Sequence, residues 1–189
     1  MKGIAILLGS LAAGAAAFAL AANSRKTGKP DEPLAHTHSE FSFAVHAPMA
    51  VAAPLFGAEA ERGWGGESWN PRFLYPQPAS DVQGAVFHVK HGAHDSTWVA
   101  TAQDFRGGHV QYVNLIDGAI VTLIDIRISA PAPAETAVTV VYERTALRPE
   151  LNDHVNELAA NDKISGPHWA SAISDYLKDS GKAPAAAKR

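Results

Sequence analysis

The chain has 189 residues, no cysteine and a formal net charge of -3 at pH 7. The missing cysteines exclude disulfides, thiolate metal centres and a lipidated thiol, and the mild acidity leaves no basic field for a nucleic-acid partner. With 47% hydrophobic residues, the chain can bury one core of ordinary domain size.

Residues Gly3 to Ala22 form an uncharged run rich in Ala, Leu, Ile and Gly, preceded by Lys2 and followed by Arg25, Lys26 and Lys29. This pattern reads residues 1–23 as a signal peptide or an N-terminal membrane anchor. Either role places the protein at the cell envelope, membrane-anchored or secreted across the inner membrane. If the segment is uncleaved, the membrane is itself a partner. Residues 24–35 carry charges, Gly and two prolines and read as a linker. The folded domain is expected over 36–179, and residues 180–189 form a flexible basic tail.

Phe41, Phe43 and Val45 alternate with polar or small residues as in a half-buried strand, which Ala47-Pro48 ends. Met49 to Phe56 has apolar residues at helical spacing, cut short by Pro54, and Ala58 to Glu61 extends it or forms a second short helix. Arg62 to Pro78, rich in Gly, Pro and Trp, shows no regular period. Three strand-like stretches follow, at Gly84 to His91, Ser96 to Gln103 and His109 to Asp117, the third entered through Gly107-Gly108. Asp117-Gly118 is the strongest hairpin signal. Beyond it Ile120, Thr122, Ile124, Ile126 and Ile128 share one face of a strand, and Val138, Val140, Tyr142 and Arg144 share one face of the last, Thr136 to Ala146.

The end of the domain is helical. Leu151, Val155, Leu158 and Ala159 form one apolar stripe, and Trp169, Ala172, Ile173, Tyr176 and Leu177 form another. At about 100° per residue the two stripes stay in phase, so the expectation is one long helix bent at Gly166-Pro167. The other reading is two helices joined by a Ser-Gly-Pro turn. Between the stripes the same face carries Asp162, Ser165 and Gly166, small or polar, so the centre should not pack tightly on the sheet.

Taken in order, these residues resemble the START-like (SRPBCC) superfamily of polyketide cyclases, dehydrases and lipid carriers. The resemblance rests on Phe43-x-Val45-x-Ala47-Pro48, Leu55-Phe56, Glu61-Arg62-x-Trp64, Trp69-x-Pro71 and Tyr75-Pro76. It continues through Gly84-Ala85-Val86-Phe87, Thr97-Trp98-Val99, the run from Val138 to Tyr142 and Gly166-x-x-Trp169. It implies an α+β helix-grip fold, a curved seven-stranded antiparallel sheet wrapped around a long C-terminal helix, with two short helices after the first strand. It also implies an internal cavity that binds a hydrophobic or amphipathic small molecule, such as a lipid, isoprenoid or aromatic compound.

Candidate ligand-binding residues are Tyr112, Ile124, Ile126, Val140, Tyr142, Arg144 and Trp169. Arg144 falls on an apolar face, so it must find a partner, meet an anionic ligand, or reach solvent through a bulge or the strand end. The histidines of His36-x-His38 and His88-x-x-His91-x-x-His94 do not converge as metal ligands must. No metal and no cofactor is expected. Glu61 and Arg62 could salt-bridge across a cavity mouth. A second reading is a cyclase- or dehydratase-type enzyme in which Tyr112, Arg144 or His109 moves a proton. A third is a sensor or assembly domain whose Trp and Tyr side chains fill the interior. A monomer or weak dimer is expected.

Overall fold

The computed structural model describes residues 32–91 and 94–181, and of His91 and His94 the backbone alone. The N-terminal apolar run, the linker up to residue 31, residues 92–93 and the basic tail beyond 181 lie outside the described residues.

Seven strands form one antiparallel sheet: β1 (His36–Val45), β2 (Arg72–Tyr75), β3 (Val86–His91), β4 (His94–Asp104), β5 (His109–Ile116), β6 (Ile120–Ala132) and β7 (Glu135–Ala146). Their spatial order is β1-β7-β6-β5-β4-β3-β2, so only the first strand crosses over to pair out of sequence, antiparallel with the last. After β1, helix α1 (Met49–Ala52) runs into a 3-10 turn over Ala53–Phe56, and a second 3-10 turn covers Ala60–Gly63. The chain ends on α2 (Asn152–Asp162) and α3 (Gly166–Asp179), both packed on β1.

The period-2 pattern explains the sheet's two faces. In β7 alternate residues from Thr136 to Ala146 are buried, and the same alternation runs through Val110 to Asn114 and Ile120 to Ile128. All of them face the helices. The hairpin at Asp117-Gly118 forms as expected, with Gly118 at φ 58°. Gly108 (φ 73°) closes the other end of β5 against β6, where a side chain would strike the carbonyl oxygen of Ile128.

Three features differ from the sequence expectations. The seventh strand, β2, lies inside the irregular stretch; it is a four-residue edge strand with only Phe73 buried, too short to show an alternation. Strand β6 runs on to Ala132, past Pro131, because the β6–β7 register breaks between Ser129 and Ala132 and demands no ladder bond there. The terminal helix is two helices, as in the second reading. Pro167 has no N–H to continue a helix from Lys163 and instead sits in the first turn of α3, where none is required. Ile164 lies exposed at the break. The two stripes nevertheless stay in phase, with Val155 and Leu158 of α2 and Trp169, Ile173 and Leu177 of α3 all buried.

The buried apolar residues divide into two clusters. The larger is aromatic-rich and lies under α1, the 3-10 turns and α3, built on Phe41, Phe56, Trp64, Trp69, Phe87, Trp98 and Trp169. The smaller is aliphatic and lies under α2, built on Ile120, Ala146, Leu151, Val155 and Leu158. What separates them on the concave face is polar.

Candidate functional site

Cross-strand register places one residue from each of five neighbouring strands side by side. Trp98 pairs with Asn114, Asn114 with Thr122, Thr122 with Arg144, and Arg144 with Thr37. The alternation of the strands turns all five side chains inward. Asn114 and Thr122 are each only 6% exposed, and Arg144 5%.

One side-chain oxygen of this row, Thr37 Oγ1, is fully buried without a hydrogen-bond partner. The Asn114 amide and the Thr122 hydroxyl, on residues each 6% exposed, make no side-chain hydrogen bond among the described residues. A buried amide or hydroxyl without a hydrogen bond costs about 1–3 kcal/mol. Such groups in one row are where a bound molecule's polar group would be accepted.

Arg144 is paired from within. Its Nη1 and Nη2 donate to the Asp162 carboxylate at the end of α2, the latter at 3.1 Å. Ser39 Oγ donates to the same carboxylate at 2.5 Å. The guanidinium also lies over the Tyr142 ring, 4.2 Å from its centroid. Of the sequence alternatives for Arg144, the internal partner is the one realised. Asp162 provides it because the inner stripe of α2 ends there, over the row.

His154 comes from the same stripe and is 7% exposed. Burial holds its imidazole below the ordinary 6.5, and the Arg144 charge adds to this while Glu157 opposes it. Tyr142 lies one row along, and burial pushes its phenol far above the usual range, with the charges of Asp162 and Glu61 adding to the shift. Tyr112 is raised in the same way, by burial first and then by Asp81 and Glu61.

All seven sequence candidates fall on the concave side. Tyr112, Ile124 and Tyr142 form one cross-strand row, and Ile126 and Val140 pair in the next. Trp169 reaches down from α3 to Phe41 and Trp64, each 5.3 Å away between ring centroids. Tyr112 packs on Phe87 and Trp98, while its hydroxyl donates to the Phe56 carbonyl and accepts from Gln103. At the centre of the sheet, therefore, these aromatic side chains pack on each other.

The residues considered for proton transfer do not converge. His109 lies on the opposite, convex face and bonds Asp125 at 3.0 Å. Tyr112 and Arg144 are two strands and one row apart. Glu61 and Arg62 also part company. Arg62 bonds Glu59, Asn70 and the Pro71 carbonyl at the surface, whereas Glu61 turns inward and is fully buried.

On the convex face His36 and His38 share Glu143 at 3.1 and 3.2 Å. Hydrogen bonds from His38 and His36 hold this exposed carboxyl below its usual range. Among the described residues no group of three His, Asp or Glu side chains is arranged to hold a metal ion.

Sequence reading missed Asn114, Thr122, Thr37, Ser39, Asp162 and His154 as site residues. Strand parity already put Asn114 and Thr122 on the buried face. The signal was there in two polar residues standing where the alternation demands apolar ones.

No family model matches the chain, and no curated protein does. Solved structures do. Norcoclaurine synthase from Thalictrum flavum aligns over 81% of this chain and 96% of its own, with a TM-score of 0.57 and 10% identity. The fold is the helix-grip fold. The same enzyme in complex with dopamine and hydroxybenzaldehyde aligns with a TM-score of 0.55 and 10% identity, over 77% of this chain and 88% of its own. A hypothetical protein from Helicobacter pylori aligns with a TM-score of 0.57 and 8% identity, over 78% of this chain and 90% of its own.

Proposed function

We propose that this chain is a START-like domain that binds a hydrophobic or amphipathic small molecule between its sheet and its C-terminal helices. One observation carries the reading: the buried Asn114 and Thr122 side chains make no hydrogen bond among the described residues, beside the buried, unpartnered Thr37 Oγ1, in a row bounded by two apolar clusters. Such a row offers orientation by a few polar groups within apolar surroundings, the usual chemistry of a small-molecule site. The fold shared with an enzyme crystallised with two small aromatic compounds supports it. Candidate contacts are Asn114, Thr122 and Arg144 for the polar end, and Tyr142, Ile124 and Trp169 for the apolar body.

The N-terminal apolar run supports a location at the cell envelope, with the domain anchored or secreted. Among the described residues no helix is long and apolar enough to cross a membrane, so this part of the proposal rests on residues 1–23 alone. Membrane attachment is tested by fractionation of the full chain in its own host. Recovery in the soluble cytosolic fraction would overturn it.

The binding role is tested by mass spectrometry of small molecules released from the full chain purified from its own host. A stoichiometric hydrophobic species is expected. Thr122→Val and Asn114→Leu, both apolar replacements of similar size, should each weaken its binding about tenfold, one hydrogen bond's worth. Affinity unchanged in both variants would remove the polar row from the site.

A further inference from the structure

The charge state of the polar row narrows the ligand class, an inference that rests on the binding role proposed above. Arg144 and Asp162 are opposite charges in direct contact, and their side chains are only 6% and 11% exposed. Their formal charges cancel. Among the described residues, nothing else in contact with the pair adds a positive charge at neutral pH. Ser39 and Tyr142 are uncharged, and burial keeps His154 neutral there. Glu61, fully buried, adds no positive charge either.

A carboxylate, sulfate or phosphate entering this row would therefore be an uncompensated buried anion. It would have to displace Asp162 from Arg144 or stand beside it, and both routes leave a buried negative charge uncompensated. An uncharged oxygen meets no such penalty. The guanidinium carries five N–H donors and uses two on Asp162. The Asn114 amide both donates and accepts, and the Thr122 hydroxyl does the same. These groups match a hydroxyl or a carbonyl.

We infer that the row selects ligands whose polar group is a neutral hydroxyl or carbonyl, and excludes fatty acids and other anionic amphiphiles. Asp162 is the residue that sets this choice. It acts through Arg144, as a positioning residue that cancels the charge an anion would seek.

The test uses the full chain at neutral pH and two matched pairs of probes: dodecan-1-ol against dodecanoate, and 2-naphthalenemethanol against 2-naphthoate. Equilibrium dialysis should show each alcohol binding at least tenfold more tightly than its carboxylate. Asp162→Asn keeps the side-chain shape, removes the negative charge and should reverse the order, with the carboxylates gaining tenfold or more. A merely structural role for Asp162 would weaken both members of a pair alike. Wild-type carboxylates binding as tightly as the alcohols would overturn the inference while leaving the binding role intact. If neither member of either pair binds, the binding role falls and the inference falls with it. Should Asp162→Asn fail to fold, the wild-type ratio alone decides.

Discussion

At the residue scale the most consequential contact joins Arg144 to Asp162. A charged residue on the inner face of a strand is tolerated only when its partner is fixed in place, and here the partner arrives from a helix 18 positions later. Removing one member of a buried ion pair leaves the other stranded, at a cost of about 3–5 kcal/mol. Removing both for apolar side chains of similar size costs far less. Arg144→Met and Asp162→Leu should therefore each destabilise the domain by roughly that amount, and the double variant by clearly less than either. Urea denaturation of the four proteins measures the cycle. Additive losses would show that the two side chains do not depend on each other. Sequence alone set out the choices for Arg144, but Asp162 was legible only as a polar gap in a helical stripe.

At the scale of elements, the approach of α3 to β1 is set by one glycine. A Cβ on Gly166 would lie 3.0 Å from the Ser42 carbonyl oxygen and 3.5 Å from the Phe41 ring. Alanine would gain about 1 kcal/mol of helix propensity against an overpacking cost of roughly 1–3 kcal/mol. Because the obstacle is backbone within a paired strand and cannot rotate away, the clash prevails. Gly166→Ala should lower Tm by several degrees, measured by thermal denaturation. An equal or higher Tm would mean that α3 does not start against β1. This glycine, marked in the sequence as a bend, owes its place to tertiary contact as much as to the turn. Pro167 decided the break, and a stripe that stays in phase could not reveal it, because phase is blind to a lost hydrogen bond.

On the scale of the whole molecule, two apolar clusters meet across a polar belt, and the belt's protonation bears on global stability. His154 takes its proton at a lower pH when folded than the ordinary 6.5 of the unfolded chain. Between those two values the unfolded state binds more protons, so stability falls as pH drops through that interval. Below the folded value both states are protonated and the loss levels off. The urea midpoint of the wild type should thus fall between about pH 7 and about pH 5, and His154→Gln should show a smaller fall. Equal slopes would mean that His154 is not held neutral by burial. Carboxyls such as Asp125, where hydrogen bonds from Arg127, His109 and Gln111 outweigh partial burial and keep the group low, titrate in a more acidic window.

The sequence by itself determined six of the seven strands and their inward faces, the hairpin at Asp117-Gly118, the short helices after β1 and the phase of the terminal stripes. All of these follow from local periodicity and backbone chemistry, which act within a few residues. It also carried the fold class, through motifs whose order outweighs their individual weakness. Tertiary structure alone decided that Arg144 faces Asp162, that Glu61 turns inward and that Thr37, Asn114 and Thr122 line up across five strands. Register and helix docking are sums of long-range contacts, and no local pattern encodes which side chains they bring together.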